Sequence, residues 1–314
     1  MSAARFASLA AICALAVGQP VAHDVQVDAV VKHNGSILRD LKQKDFVILD
    51  EGKPRSLEGF QEASVPLDLV LVIENPRYLT EPTRIAANFV SGLRPSDRVA
   101  LVWEDPYNHE TVFHHQRLTS NREDIAAALE VVESKWREWK KKPYPGDPLM
   151  GALPLHWAAW MLEDELSKRP AKERRKQAIL LLSLVNFSSG WPGDPAVQHL
   201  WSIHTPLHAL LMPAAKEQQF VWGGERFRVL LARADQPVYI AQQTGGDVLW
   251  VNEDGSPDRI PEFIRNIQSS YSLWFKAAQG EAGTVRHIKV ELSDAAKKKY
   301  PGAQVIARQG YIVP

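Results

Sequence analysis

Two apolar runs constrain this chain more than anything else in it. Leu67–Ile73 reads LDLVLVI and Ala178–Val185 reads AILLLSLV. Both are nearly continuous and rich in branched residues, so they suit strands buried on both faces. Val99–Trp103 and Leu207–Met212 are shorter versions, and Thr111–Phe113 is a more polar strand suited to a sheet edge. Helical patterns lie between them. Within Ser120–Trp139, Ile125, Leu129, Val132 and Trp136 keep an i, i+4, i+7, i+11 rhythm. Pro82–Leu93 is a helix with Thr80 as its N-cap and Pro82 near its first position. Leu149–Leu166 is a long helix with aromatics on one side. A further helix starts at Asp194-Pro195, a segment over Val229–Gln243 is largely helical but interrupted near Pro237, and Ile260–Gln268 is the last. Buried strands alternating with amphipathic helices predict an α/β fold with a doubly wound, mostly parallel sheet.

The two ends have a different texture. Val25–Val31 alternates apolar and polar residues, His33-Asn34-Gly35 is a turn, and Asp45–Leu49 and Arg55–Phe60 are strands. Tyr271–Phe275, His287–Leu292 and Val305–Ile312 are strands at the other end. Pairing the ends with each other gives a small β platform. The expected organisation is a signal peptide over 1–18, an N-terminal β segment over 19–64, an α/β domain over 65–268 and a C-terminal β segment over 269–314.

The 314 residues include 37 basic and 37 acidic side chains, so the formal net charge is zero. That argues against a dedicated nucleic-acid binder, which needs a basic excess to neutralise phosphates. Apolar residues at 45% argue against a disordered chain. Arg5, the apolar stretch Ala7–Val17 and the small residues of Ala16-Val17-Gly18 read as a secretion signal. Cys13 is the only cysteine, and Ile12 before it is too large for a lipoprotein site. No later stretch reaches ~18 uninterrupted apolar residues. The expectation is an exported protein, periplasmic or extracellular, without a membrane span or a disulfide.

Leu41-x-x-x-Asp45-Phe46 followed by Asp50-Glu51-Gly52-Lys53-Pro54 resembles the leader of the von Willebrand factor A-like secreted proteins abundant in Acidobacteria. Thr244-Gly245-Gly246, Tyr271-Ser272-Leu273 and Arg308-Gln309-Gly310-Tyr311 resemble that family's later motifs, in the right order. The resemblance implies a divalent-metal adhesion site at the carboxyl edge of the sheet, built from Asp-x-Ser-x-Ser, a threonine loop and a third-loop aspartate. Here the first three positions hold Glu74, Pro76 and Tyr78. Asp147 stands in the threonine loop, and Leu184 stands where the third aspartate belongs, just before Asn186. Proline offers no side-chain oxygen, and tyrosine holds its oxygen too far out for a hard cation. The usual metal site is therefore expected to be lost, with no cofactor in its place.

Other chemistry is sparse. His109, His114 and His115 flank the edge strand. His204 and His208 would share a helical face for zinc, but no Glu follows His204 and Pro206 interrupts the pair. Trp136 with Trp139, and Trp157 with Trp160, are i, i+3 pairs read as core packing. Asn186–Trp191 and Gln218–Arg226 are loops whose aromatics have no evident core.

The expected function is a non-enzymatic, adhesion-type module. It would meet an unidentified protein partner, in the cell envelope or outside the cell, through Glu74, Asn75, Tyr78, Asp147, Asn186 and Trp191. The alternatives are a glycan or polymer binder using exposed tryptophans, and a hydrolase with Glu74 and Asp147 as an acid/base pair.

Overall fold

The structure is a computed structural model. It describes residues 24–62, 65–74, 79, 81–104, 113–141, 153–169, 175–184, 193–212, 220–222, 225–227, 235–251 and 259–314. Residues 1–18, read above as a signal peptide, lie outside them.

The chain begins with β1 (Asp24–His33), β2 (Ser36–Ile37), β3 (Phe46–Asp50), β4 (Lys53–Arg55) and β5 (Leu57–Gln61). Then come β6 (Leu67–Ile73), α1 (Pro82–Ser91), β7 (Arg98–Glu104), β8 (Phe113–Thr119), α2 (Arg122–Trp139), α3 (Leu153–Lys168), β9 (Lys176–Leu184), α4 (Gly193–Ser202) and β10 (Leu207–Met212). After β11 (Phe220–Trp222), β12 (Glu225–Phe227), α5 (Asp235–Thr244), β13 (Val248–Trp250) and α6 (Ile260–Gln268), the chain ends with β14 (Tyr271–Lys276), β15 (Val285–Leu292), α7 (Asp294–Lys299), β16 (Gln304–Ala307) and β17 (Gly310–Ile312).

The apolar runs form the middle of a six-stranded sheet ordered β13-β10-β9-β6-β7-β8. Its strands are parallel except β8, which runs antiparallel along the edge. Every residue of β6 is buried. Phe89 of α1, Leu129 of α2 and Phe263 of α6 cover one face, against Leu69, Leu71 and Leu180. Leu155 and Leu162 of α3, Leu200 of α4 and Ile240 of α5 cover the other, against Val70, Val72 and Leu181. Helices thus cover both faces of this sheet. Parallel order is confined to it, and the other sheets among the described residues are antiparallel.

The terminal segments interleave. One sheet runs β16-β1-β14-β5 with β2 beside β1, and another runs β17-β15-β3-β4. Val27 sits opposite Leu273, and Ile48 opposite Val290. Val27, Ile48, Phe275 and Tyr311 fill one core with their neighbours.

The amino edge of the central sheet is pinned by charge. Asp68 is fully buried at the start of β6. It accepts two hydrogen bonds from Arg98, at 2.8 and 2.7 Å, one from Arg169 at 2.7 Å and one from Arg175 at 2.6 Å. Burial alone would raise its pKa, but Arg98 and Arg175 outweigh that and hold it below the ordinary carboxylate range.

Several local expectations are corrected. The α1 N-cap is Glu81, in a left-handed conformation (φ 48°) and without a side-chain cap, because Pro82 already fixes the first helical residue; Thr80 lies outside the described residues. Pro237 does not interrupt α5 but sits in its first turn, where its missing N–H has no helical acceptor to lose. The stretch Val305–Ile312 is two strands in different sheets, and Arg55–Phe60 is split between β4 and β5. The edge strand β8 lies later than Thr111–Phe113. Residues around Gly223-Gly224, read as loop, include the paired strands β11 and β12.

The Thr-Gly-Gly motif is a junction as well as a turn. Thr244 Oγ1 accepts from Leu207 N at 3.0 Å and donates to Ile240 O at 2.7 Å, and Thr244 bridges to Arg308. A Cβ on Gly246 would stand 1.7 Å from Leu207 O, and one on Gly245 (φ +80°) 2.4 Å from Arg308 N. Both obstacles are backbone, which cannot step aside as a flexible side chain can. We therefore expect Gly246→Ala to lower the unfolding free energy by ~3 kcal/mol or more. Gly35→Ala, with positive φ but nothing within 4 Å, should cost about 1 kcal/mol. Urea unfolding of the two variants side by side checks the difference.

Candidate functional site

Open parallel sheets bind ligands at the carboxyl ends of the strands, where strand order reverses. Here the chain leaves β6 for β7 on one side and later returns to β9 on the other. The reversal point lies between β6 and β9. Glu74, the first residue after β6, sits there. Its backbone N–H donates to Leu182 O at 3.0 Å, which extends the β6–β9 ladder by one bond. Its carboxylate is buried and accepts from Ser183 Oγ at 2.5 Å.

Glu74 is thus the one expected site residue that the structure describes, and it is turned inward. Asn75, Tyr78, Asp147, Asn186 and Trp191 lie outside the described residues, as does Pro76. Ser183 was read as part of a buried strand and as the residue before the replaced third aspartate, not as a partner of Glu74. Its signal was visible all the same, because a hydroxyl in a buried apolar run needs a polar partner. Among the described residues, no group of three or more His, Cys, Asp or Glu could hold a metal ion.

The histidines are dispersed. His114 and His115 lie on β8 opposite Trp103 and Val102, and His109 is outside the described residues. His204 follows α4 in a left-handed conformation (φ 54°), with Nδ1 3.0 Å from Arg308 Nη1. Burial, reinforced by Arg308, pushes its pKa down to about 3. His208 lies on β10, where its Nδ1 accepts from Asp247 N at 3.0 Å and burial pushes its pKa to about 4. One is in a turn and the other in a strand, so the shared helical face imagined for zinc does not form.

The aromatic expectations divide. Trp139 is buried, with its ring 5.7 Å from Trp103, and Trp136 Nε1 donates to Leu79 O at 3.3 Å. Trp157 and Trp160 are not core. They are 36% and 52% exposed, with rings perpendicular at 5.1 Å. The inner face of α3 is taken by Leu155, Ala158, Ala159 and Leu162, and the tryptophans fall between those positions.

These exposed rings share an end of the molecule. α3, α4 and α5 lead into the amino ends of the parallel strands β9, β10 and β13, so the helices begin at the carboxyl edge. Trp157 and Trp160 lie in the first half of α3. On α5, Tyr239 is 38% exposed, and its hydroxyl donates to Asp194 Oδ1, in the first turn of α4, at 2.7 Å. Trp250 closes β13 and is 50% exposed. The fifth large apolar or aromatic side chain that stands exposed among the described residues is Val131, in the second half of α2.

No family model matches the chain, and no curated protein matches it. Solved structures with a similar arrangement include the human COPII-coat protein Sec24c, at TM-score 0.42 and 9% identity over 84% of this chain and 48% of that one. This chain spans about half the length of the Sec24c chain. A von Willebrand factor type A structure from Catenulispora acidiphila gives 0.40 and 11%, over 94% and 74%. The manganese-loaded Plasmodium vivax TRAP protein gives 0.38 and 11%, over 84% and 98%. All three TM-scores lie below 0.5, so the reading of the site rests on this chain's own residues.

The buried histidines generate a pH dependence. Their folded pKa values, about 3 and about 4, lie below the free value of 6.5. As pH falls below 6.5 the unfolded chain takes up protons that the folded chain refuses, so stability declines between pH 6.5 and 4. At ~1.4 kcal/mol per unit, unfolding at pH 4.5 should need a few kcal/mol less than at pH 7. His208→Asn, whose amide oxygen can take the Asp247 N–H, should remove about half of that slope. Denaturant titrations at the two pH values check both statements.

Proposed function

We propose that this chain is a von Willebrand A-like, adhesion-type module, exported from the cell, that binds a protein partner without a bridging metal and without catalysis. The observation that carries the reading is the set of exposed aromatic side chains around the carboxyl edge. Trp157, Trp160, Tyr239 and Trp250 offer large, stiff, apolar surface where open sheets place their ligands. The environment of Glu74 supports the loss of the metal. Its carboxylate is buried and one of its oxygens is engaged by Ser183, so it is tied into the sheet edge rather than turned toward a partner's ion. The same burial speaks against Glu74 as a solvent-facing acid or base.

Asn75, Tyr78, Asp147, Asn186 and Trp191 belong to the proposed contact surface by their place in the sequence, between strands and helices that meet at this edge. The test has two arms. Adding millimolar Mg²⁺ or Ca²⁺ should leave the melting temperature within about 1 °C, because an ion without a site cannot stabilise by mass action. Immobilised protein should retain its envelope partner in the presence of EDTA, and Tyr78→Ala or Trp191→Ala should weaken retention by about 10-fold or more. A rise of several degrees with metal, or retention abolished by EDTA, would overturn the reading.

A further inference from the structure

The outer face of α3 carries charge as well as exposed rings. Glu163 follows Trp160 at i+3, a spacing at which helical side chains are neighbours. Its side chain is 55% exposed, and its nearest ionic neighbour is His199 Nε2 at 3.6 Å. Burial, with a smaller push from His156, holds His199 below its ordinary pKa against the pull of Glu163. This holds His199 toward its neutral form and leaves the Glu163 charge only weakly compensated. Asp164 is different, since Lys168 pairs with it one turn further along. The result is an indole and a weakly compensated carboxylate side by side on the surface.

That pair has a chemical complement. A guanidinium is planar and always charged. It stacks on an aromatic face while its edge forms two parallel hydrogen bonds to a carboxylate. An ammonium has the charge but neither the plane nor the fork. A neutral sugar could stack but would leave the carboxylate without a counter-charge.

We propose that α3 receives an arginine side chain of the protein partner, stacked on Trp160 and paired with Glu163. This names the chemistry of the partner and, for its biological meaning, rests on the interaction reading above. Trp157 stands perpendicular to Trp160 and props the ring that the guanidinium covers.

Calorimetric titration of the full chain decides it. The probes are the peptide acetyl-Gly-Arg-Gly-Arg-Gly-amide, the same peptide with citrulline in place of arginine, and chitotetraose. The arginine peptide should bind, and the citrulline peptide, which keeps the plane but lacks the charge, should bind about 10-fold more weakly. Trp160→Ala and Glu163→Gln should each weaken the arginine peptide about 3- to 5-fold, and Trp250→Ala should leave it unchanged. Both positions are on the surface, so unfolding midpoints should stay within about 2 °C of the parent. Equal binding of the citrulline peptide, no loss in either variant, no binding of the arginine peptide, or Trp160-dependent binding of chitotetraose instead would each overturn the proposal. Partner retention keeps the two readings apart. A partner lost with Tyr78→Ala but held equally well by Glu163→Gln leaves the interaction module standing and removes the arginine contact. No retention by the parent protein removes the module, while the peptide titration still decides the arginine site.

Discussion

One buried carboxylate organises the end of the sheet opposite the site. Asp68 has no access to water, and an unpaired charge there would cost several kcal/mol. It is matched by guanidiniums from three different parts of the chain: the start of β7, the end of α3 and the residue before β9. Asp97 repeats the logic with neutral and charged donors, accepting from Leu67 N, Arg94 N, Gln268 Nε2 and the Arg94 guanidinium. These contacts fix where β6, β7 and β9 begin. With their starts fixed and their apolar middles packed on both faces, the strands end in register. Glu74 and Ser183 meet at the other edge.

The platform adds a second anchor on the same side. Lys176, buried at the start of β9, donates to the carbonyl and hydroxyl of Ser270, just before β14. Lys32 of β1 pairs with Asp247 at 2.6 Å, and Asp247 in turn accepts from Asn266 and donates its backbone N–H to His208. Arg308 donates to Trp201 O at 2.8 Å from the far end of the chain. Polar contacts of this kind are directional, so they set orientation as well as adding stability. Interleaving the two terminal segments makes the platform one body, and these links tie that body to the sheet. At the carboxyl edge the polar ties among the described residues include Glu74 with Ser183, Tyr239 with Asp194 and Trp136 with the Leu79 carbonyl.

How much of this was legible follows from what each segment buries. β10 and α6 agree with the sequence reading to the residue, because a wholly buried strand and a strongly one-sided helix carry unambiguous patterns. The split between β16 and β17 was not legible. The chain changes sheets at Arg308-Gln309, and Gly310, which marks the change, also reads as part of a strand. α7 was missed because six residues are too few to show a period, although Ser293 caps it by accepting from Ala296 N. At the site, Glu74 could be placed by counting from the end of a strand, while its inward turn could not, since that depends on a hydroxyl 109 residues away. Trp157 and Trp160 were assigned to the core because spacing shows that two residues share a face but not which face. The deciding residues were Ala158 and Ala159. They let α3 lie close against the sheet and leave no space there for an indole.

The exposed aromatics also bear on how a metal-free edge would hold a partner. A bridging ion concentrates affinity in one desolvated contact. Apolar area is the other source. Aromatic side chains bury ~150–250 Å² each, so covering the exposed half of one removes about 100 Å² from water and contributes about 2.5 kcal/mol. Four rings would together contribute about 10 kcal/mol, which is comparable to what association costs in lost motion. Area alone therefore brings the balance close to zero, and the directional contacts set the net affinity. A carboxylate held beside an indole, with a histidine held toward its neutral form behind it, is such a contact. It is also sensitive to the partner's side chain in a way that apolar area is not. In the proposed interaction, apolar area would supply the bulk of the contact and a charged point of recognition its selectivity.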